Sequence, residues 1–375
     1  MALGIGAGYV LPMGMARIFA TFNAIFSAFL SFIIPLLIVG FVAPAIADIG
    51  RRAGKMLLFT ALLAYGFTLM AGIISYATGA AVFPSLIQPG QYLEQVESAA
   101  QVNPYFTMDI TPLMGVMTAL VLAFVLGLGC AQTGSVSLRN GLDDFRDIIS
   151  WVINKAIIPL LPLYIFGIFL SMTVSGQVSG ILLTFVKIIV VIFILHVGIL
   201  VLQYCIAALF SHRNPLQSLW SMMPAYFTAL GTQSSAATIP VTLKRTIAMG
   251  VDKDVAGFTV PLCATIHMSG STLKIVACAL ALMIAQGHAY DFGMFAGFIC
   301  MLGITIIAAP GVPGGAIMAS LGLLSGMLGF SEADCALMIA LYIAMDSFGT
   351  ACNVTGDGAI AQIVDRFFTN AQKHR

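Results

Sequence analysis

Charged residues are scarce in this sequence of 375 residues: Asp, Glu, Lys and Arg together make up 8%. A soluble domain carries about 25% charged residues, so this scarcity excludes an ordinary soluble domain. Hydrophobic residues make up 60% of the chain, which is typical of an all-α polytopic membrane protein in a lipid bilayer. The net charge is only +1, so neither a nucleic acid nor an acidic partner is indicated.

Metal-ligand spacings, disulfide patterns and a signal peptide are also lacking. The seven cysteines are dispersed through apolar segments without a CxxC pair, which argues against a zinc site or a disulfide framework. We interpret them as small packing residues and expect no cofactor. Residues 1–11 have neither a basic start nor a cleavage-like end, so we expect the first helices to act as the insertion signal.

Long apolar runs dominate the chain. A helix needs about 20 residues to span a bilayer. Seven segments reach that length, at residues 17–46, 56–78, 111–130, 152–174, 181–210, 258–284 and 336–361. One set of connections and the C-terminal tail carry the Lys and Arg residues, whereas the other set carries Glu94, Glu97, Asp109 and Asp291. The positive-inside rule therefore predicts a multi-pass protein of the plasma (inner) membrane with a cytoplasmic C-terminus.

Two further apolar segments are interrupted. Residues 213–250 break at TQSSAAT (232–238), and residues 291–333 break at PGVPGG (310–315). The first has basic flanks and the second has acidic flanks, so each segment would enter and leave on one side. Irregular backbone at membrane depth is tolerated only beside a cavity or within protein, and paired interruptions indicate a transport site. We predict two re-entrant helical hairpins; the alternative is two kinked ordinary helices.

Four polar residues recur at helical spacing in LYIAMDSFGTACNVTGDGAI (341–360). Asp346, Thr350, Asn353 and Asp357 fall at i, i+4, i+7 and i+11, so they lie on one helical face. A charged residue at this depth costs roughly 2.5–3.5 kcal/mol. Such oxygen ligands suit a Na⁺-like cation or an ammonium. We predict that Asp346 holds a substrate ammonium and Asp357 a cation; the alternative for Asp357 is a solvated position near the cytoplasmic helix end.

A second polar cluster lies in TIHMSGSTLK, where His267, Ser271 and Lys274 again fall at i, i+4 and i+7. An intramembrane lysine must pair or lose its proton, so we expect Lys274 to meet Asp346 or Asp357. For His267 two interpretations are open, a structural donor to a carbonyl and a proton relay.

The tip of the first interrupted segment carries Ser234 and Ser235. Hairpin tips with half-helix N-termini favour an anionic group such as an α-carboxylate. Together with Asp346 for an ammonium, these groups predict a site for an amino-acid zwitterion, with Asp357 nearby for a cation.

Four motifs in a fixed order carry a resemblance to a known family: TQSSAATIPVT, VPLCATIHMSGST, GVPGGAIM and MDSFGTACNVTGD. They resemble the dicarboxylate/amino acid:cation symporters, which include sodium:dicarboxylate symporters and glutamate-transporter homologues. The resemblance implies an inverted-repeat elevator transporter that forms a homotrimer, with residues 1–11 as the remnant of a truncated first helix. It implies a scaffold and trimerisation domain at 1–47 and 81–178, and a transport domain at 48–80 and 179–370 with both hairpins.

The resemblance also implies the binding residues. Those at the substrate would be Ser234, Ser235, Ser271, Val312, Gly314, Asp346, Gly349, Thr350 and Asn353. Those at the coupling cations would be Cys263, Thr265, His267, Met268, Asn353 and Asp357, with one Na⁺ at Asp357.

Departures from the family pattern bear on the substrate and the ions. In members with acidic substrates an arginine lies three residues after the aspartate that holds the amino group, and here that position is Gly349. Without a guanidinium for a side-chain carboxylate, we predict a neutral amino acid as substrate. A sodium-binding aspartate of the family is Ser269 here. We hypothesise that the Lys274 ammonium is a cation surrogate for that lost sodium, and that His267 makes coupling partly H⁺-driven.

The sequence thus predicts a Na⁺-coupled symporter of a neutral amino acid and not an enzyme. A dicarboxylate or an acidic amino acid is the runner-up substrate, with Lys274 or His267 as a displaced positive charge. An intramembrane enzyme is remote, because TGDG is preceded by Val354 where an aspartyl protease motif needs glycine. A channel is a further alternative, which solute accumulation against a gradient would exclude.

Overall fold

A computed structural model describes residues 2–51, 55–87, 102–176, 178–307 and 314–372. Every regular element in these ranges is a helix, which confirms the all-α prediction. The first part of the chain forms α1 (Ala2–Val10), α2 (Met13–Arg51), α3 (Lys55–Leu86), α4 (Val116–Thr133), α5 (Val136–Val152), a π-helical turn (Ile153–Ile157), α6 (Ile158–Val174) and α7 (Val178–Ser211). The second part forms α8 (Pro215–Ser221), α9 (Met223–Thr232), α10 (Ser235–Ala248), α11 (Lys253–Ile266), α12 (Ser269–Ala285), α13 (Phe292–Ile307), α14 (Gly315–Leu328), α15 (Glu332–Ala344) and α16 (Asp346–Gln372).

Several helical stretches are long and apolar enough to cross a membrane. Among the described residues there are four, at Met13–Pro44, Lys55–Leu86, Val186–Ser211 and Lys253–Ala285. Two bent pairs raise the number to six if each counts as one span, Val136–Ile157 with Pro162–Val174 and Glu332–Ala344 with Asp346–Phe368. These lengths agree with the prediction of an integral membrane protein.

Helix α7 illustrates the outer surface of the bundle. Its residues Val186, Val190, Ile194 and Val197 are 53–67% exposed, and their spacing places them on one helical face. A contiguous exposed apolar stripe of this kind marks a membrane or protein contact rather than a water-facing surface.

Helix α12 is enclosed by protein, since all 17 of its residues are buried. It packs against α3, α7, α15 and α16. The approach of α3 is close because Gly79 has no side chain: a Cβ there would lie 2.8 Å from Cδ2 of Leu280. The Ser75 hydroxyl of α3 also donates to the Leu273 carbonyl at 2.7 Å. This packing holds the helix that carries Lys274 in a fixed position.

The segment 213–250 forms a hairpin. Helices α8 and α9 lead to a reversal at Gln233, which has a φ of 54°, and the Ser234 hydroxyl caps the returning helix α10. At the other end the Arg213 side chain donates to the Gly250 carbonyl at 2.6 Å. Because the two ends of the segment meet, a kinked membrane-crossing helix does not describe it.

The segment 291–333 contains the two arms α13 and α14, and its tip at 308–313 lies outside the described residues. A Cβ on Gly297, near the start of α13, would lie 3.7 Å from Cε of Met327, near the end of α14. The arms are therefore antiparallel. Gly314 precedes α14 with a φ of 76°, a left-handed conformation that glycine adopts without strain.

Two helical segments are broken inside apolar sequence. His267 and Met268 separate α11 from α12, and α15 meets α16 at a bend of 63° around Met345. The prediction of one continuous span at 336–361 was wrong in this respect. The break makes Asp346 the first residue of α16, where the helix dipole favours a negative side chain.

Candidate functional site

A buried polar cluster lies where the broken helices meet α14 and α7. The four polar residues predicted to share one helical face all lie on α16 and are at most 7% exposed: Asp346, Thr350, Asn353 and Asp357. Lys274 and His267 are 0% and 1% exposed. Unpaired polar groups are costly in such surroundings, and these ones form two groups, which we name the lysine pair (Lys274 with Asp346) and the histidine pair (His267 with Asp357).

Asn353 lies between the two pairs, and its side chain links the start of α12 to α16 through hydrogen bonds. Its Oδ1 accepts hydrogen bonds from the N–H groups of Gly270 at 2.8 Å and Ser271 at 3.4 Å. Its Nδ2 donates to the Ser271 hydroxyl at 3.1 Å, which also accepts from the Tyr342 hydroxyl at 3.0 Å. The first amides of a helix have no partner within that helix, so Asn353 satisfies them from a neighbouring helix.

The lysine pair joins α12, α14 and α16. The Lys274 ammonium lies 2.9 Å from Oδ1 of Asp346 and 3.4 Å from the Met345 carbonyl. It also lies 3.4 Å from the centre of the Tyr342 ring, a cation–π contact. Oδ2 of Asp346 accepts a hydrogen bond from the Gly314 N–H at 2.7 Å. Each carboxylate oxygen therefore has a partner, one an ammonium and the other the amide that precedes α14.

This geometry selects Asp346 from the two partners expected for Lys274. The ammonium thus lies on the carboxylate that we predicted for a substrate's amino group. Ser269, at the position of the lost sodium ligand, is not among its hydrogen-bond partners within the described residues. The start of α16 offers the ammonium a carboxylate and the Met345 carbonyl, whereas Ser269 offers only a neutral hydroxyl. The hypothesis that Lys274 replaces the lost sodium stays a prediction, and in this structure the ammonium lies on Asp346.

Gly349 provides the space that Lys274 occupies. A Cβ on Gly349 would lie 2.8 Å from Nζ and 2.9 Å from Cε of Lys274. Such distances are far shorter than contacts in a packed interior. The lysine therefore fills the volume in which a longer side chain at position 349 would begin.

The histidine pair lies on the other side of Asn353. Nδ1 of His267 lies 2.9 Å from Oδ1 of Asp357 and 3.2 Å from the Asn353 carbonyl. Its Nε2 lies 3.4 Å from the side-chain nitrogen of Gln203, and a Cβ on Gly356 would lie 2.5 Å from its Cε1. Asp357 is 1% exposed, so a solvated position at the helix end does not describe it.

The residues predicted for cations are assembled to different degrees. The Asn353 carbonyl faces His267, and Met268 accepts from Nδ2 of Asn353 at 3.4 Å. The Cys263 carbonyl accepts from the His267 N–H at 2.8 Å, whereas Thr265 is exposed. Within the described ranges, no three His, Cys, Asp or Glu side chains come close enough to hold a metal ion. Carbonyl and hydroxyl oxygens would therefore have to complete the shell of a bound cation.

The hairpin tips contribute unequally. Ser235 is buried and Ser234 is partly exposed, and in the part of the chain that the structure describes neither hydrogen-bonds to Asp346. Val312 lies outside the described residues. Gly314, at the far end of the second tip, reaches Asp346 directly.

Two residues of the cluster escaped prediction. Gln203 is a lone amide in the apolar helix α7 and is fully buried; an isolated polar residue in such a run is itself a signal of a functional contact. Tyr342 lies four residues before Asp346, but the chain bends between them. Its contact with Lys274 therefore depends on a break that the sequence did not indicate.

Comparison with known proteins decides the family. Residues 1–367 match the profile of the sodium:dicarboxylate symporter family. The chain belongs to this family. The resemblance carried by the four motifs is thereby confirmed, and so is the expectation that the chain is not an enzyme, because the family consists of symporters.

Three relatives illustrate the similarity. The chain is 28% identical to the neutral amino acid transporter B(0) of Mus musculus over 268 residues, which are 68% of this chain and 47% of the relative. It is 31% identical to the excitatory amino acid transporter 1 of Rattus norvegicus over 273 residues, 69% of this chain and 48% of the relative. It is 27% identical to the human protein of that name over 305 residues, 76% and 54%. The chain spans about half the length of these relatives.

Proposed function

We propose that this protein is a Na⁺-coupled symporter of a small neutral amino acid. The observation that carries the proposal is the lysine pair, in which buried Asp346 holds an ammonium at 2.9 Å. A carboxylate that accepts one ammonium in this place has the charge and geometry to accept an α-amino group. The names of the relatives, which are amino acid transporters, support an amino acid as the cargo.

The carboxylate end of the substrate would be bound by the hairpins. The Gly314 N–H already donates to a carboxylate oxygen at 2.7 Å, and helix N-termini attract anionic groups. In the proposed complex this amide and its neighbours turn to the substrate, with Ser234 and Ser235 approaching from the first hairpin.

The surroundings of Asp346 support a substrate whose own side chain is neutral. Gly349 has no side chain, and Lys274 is already paired with Asp346. A second carboxylate on the substrate would therefore lack the bidentate partner that a guanidinium supplies.

A second candidate cargo is a carboxylate without an amino group. The same lysine pair favours it, because Lys274 neutralises Asp346 and removes the need for an ammonium on the substrate. The two candidates differ in a single chemical group, which permits a direct comparison.

Thermal unfolding of the purified protein with matched ligands distinguishes them. Propionate is alanine without its amino group, and succinate is aspartate without its amino group. We expect alanine to stabilise the protein in Na⁺, by about 2.7 kcal/mol at a concentration of 100 times Kd, and the other three ligands to have little effect. Stabilisation by propionate or succinate instead would support the second candidate, and stabilisation by aspartate would contradict the neutral side chain.

We propose Asp357 as a sodium ligand, with carbonyl oxygens of Cys263, His267 and Asn353. A sodium ion there would compete with the His267 ring for the Asp357 carboxylate, since the two are now 2.9 Å apart. Coupling to H⁺ through His267 is the alternative, and uptake that is independent of pH between about 5 and 8 would count against it.

The family architecture supports the remaining proposals. We infer a scaffold domain at 1–47 and 81–178, a transport domain at 48–80 and 179–370, movement of the second against the first, and a homotrimer. The charge distribution supports a plasma-membrane protein with a cytoplasmic C-terminus.

A further inference from the structure

We infer that in the empty carrier the Lys274 ammonium binds Asp346 in the place that the substrate's amino group takes in the loaded carrier. Because Asp346 is then neutralised, the empty carrier can return across the membrane without a bound cation. The inference rests on the proposed function, because it takes Asp346 as the site of that amino group.

Lys274 is satisfied entirely by the protein. It is 0% exposed, and its ammonium faces the Asp346 carboxylate, the Met345 carbonyl and the Tyr342 ring. An ammonium has three donors, and these three partners surround it. Two of them remain available if a substrate's amino group takes the Asp346 oxygen, so displacement does not require the lysine to leave the site.

Asp346 in turn holds the second hairpin. With Oδ1 on Lys274 and Oδ2 on the Gly314 N–H at 2.7 Å, it links α12 to the beginning of α14. The two side chains thus reproduce the two ends of a zwitterion: an ammonium on Asp346 and a carboxylate on the hairpin amide. The beginning of α14 is therefore held in place by a contact that resembles the one expected from the carboxylate of a bound substrate.

The charge of the site is the same with and without a neutral amino acid. The lysine pair sums to zero, and a zwitterionic substrate adds zero. If Lys274 were neutral, the empty carrier would return with a bare Asp346 carboxylate in a low-dielectric environment, which is unfavourable. The absence of a side chain at Gly349 is needed for this arrangement, because a Cβ there would lie 2.8 Å from Nζ of Lys274.

A lysine with a merely structural role predicts different behaviour. Its loss would lower every transport mode in proportion and leave the alanine affinity of the folded protein unchanged. A lysine that competes with the substrate predicts opposite changes: tighter substrate binding and slower return of the empty carrier.

The test compares Lys274→Met with wild type in proteoliposomes that contain the whole chain. Labelled alanine is followed in two modes: exchange against internal alanine, and net efflux into substrate-free buffer. Alanine affinity is measured separately by thermal shift. Lys187→Met is the matched control, because Lys187 also lies in an apolar helix but is exposed on α7.

We expect Lys274→Met to keep exchange, to lose about tenfold in net efflux relative to exchange, and to bind alanine several-fold more tightly. Lys187→Met should leave both ratios unchanged. Loss of both modes in equal proportion, or unchanged affinity and efflux, would overturn the inference. Failure of the wild-type protein to bind or exchange any amino acid would instead overturn the proposed function, whatever Lys274 does.

Discussion

Breaking the lysine pair one partner at a time tests whether the two buried charges depend on each other. The variants are Lys274→Met, Asp346→Asn and the double variant. The two side chains are 0% and 6% exposed and 2.9 Å apart, so solvent contributes little screening. Removal of either partner leaves one charge in an apolar interior.

The magnitude follows from that burial. Removal of one partner from a buried pair destabilises a protein by about 3–5 kcal/mol, and a lone charge at membrane depth costs about 2.5–3.5 kcal/mol. Asp346 keeps the Gly314 N–H as a partner when Lys274 is lost, and Lys274 keeps the Met345 carbonyl and the Tyr342 ring when Asp346 is replaced. These retained contacts favour the lower end of the range, about 3 kcal/mol for each single variant. The double variant leaves no uncompensated charge and should lose less than either single variant.

Unfolding free energies can be measured in mixed micelles by titration with a denaturing detergent, with loss of helical circular dichroism as the signal. We expect strong non-additivity between Lys274→Met and Asp346→Asn. If the double variant equals the sum of the single variants within about 0.5 kcal/mol, the two groups are energetically independent and the reasoning is refuted.

Three further substitutions test the packing of the two pairs. Gly349→Ala should destabilise the protein by about 1–3 kcal/mol, because its Cβ would lie 2.8 Å from Nζ of Lys274; unchanged stability in the detergent titration would contradict this. His267→Ala should lower the Na⁺ concentration for half-maximal alanine uptake, since it frees the Asp357 carboxylate; an increase would mean that His267 helps to bind the ion. Gly356→Ala should act in the same direction on Na⁺, because its Cβ would lie 2.5 Å from Cε1 of His267.

The two hairpins could be predicted from the sequence because the residues that interrupt their helices act locally. Gly, Pro and Ser interrupt a helix largely independently of its neighbours, so TQSSAAT and PGVPGG identified the two interruptions. The charges that flank 213–250 indicated that its ends lie on one side, and the contact of Arg213 with Gly250 brings those ends together.

The break at Met345 could not be predicted from the sequence, because the contacts that stabilise it come from distant parts of the chain. Its immediate surroundings, LYIAMDSF, contain neither glycine nor proline, and the spacing of the polar residues suits a continuous helix. The groups at the break are bound by other parts of the chain: Gly314 donates to Asp346, and Lys274 lies near the Met345 carbonyl. Tertiary contacts therefore stabilise a break that local sequence does not encode.

The sequence limited the possible partners of Lys274 to two carboxylates but did not select one of them. Its place in an apolar run and its need for a carboxylate reduced the choice to Asp346 or Asp357. The final selection depends on the packing of α12 against α16 and on the space at Gly349, which are properties of the assembled helices.

Solute accumulation in proteoliposomes tests the central proposal most directly. Labelled alanine, serine, glutamate and succinate would each be offered with an inward Na⁺ gradient, and again with a proton gradient alone. We predict that alanine or serine accumulates above its external concentration only with the Na⁺ gradient. Accumulation of glutamate or succinate instead, or of any of the four without dependence on Na⁺, would contradict the proposal.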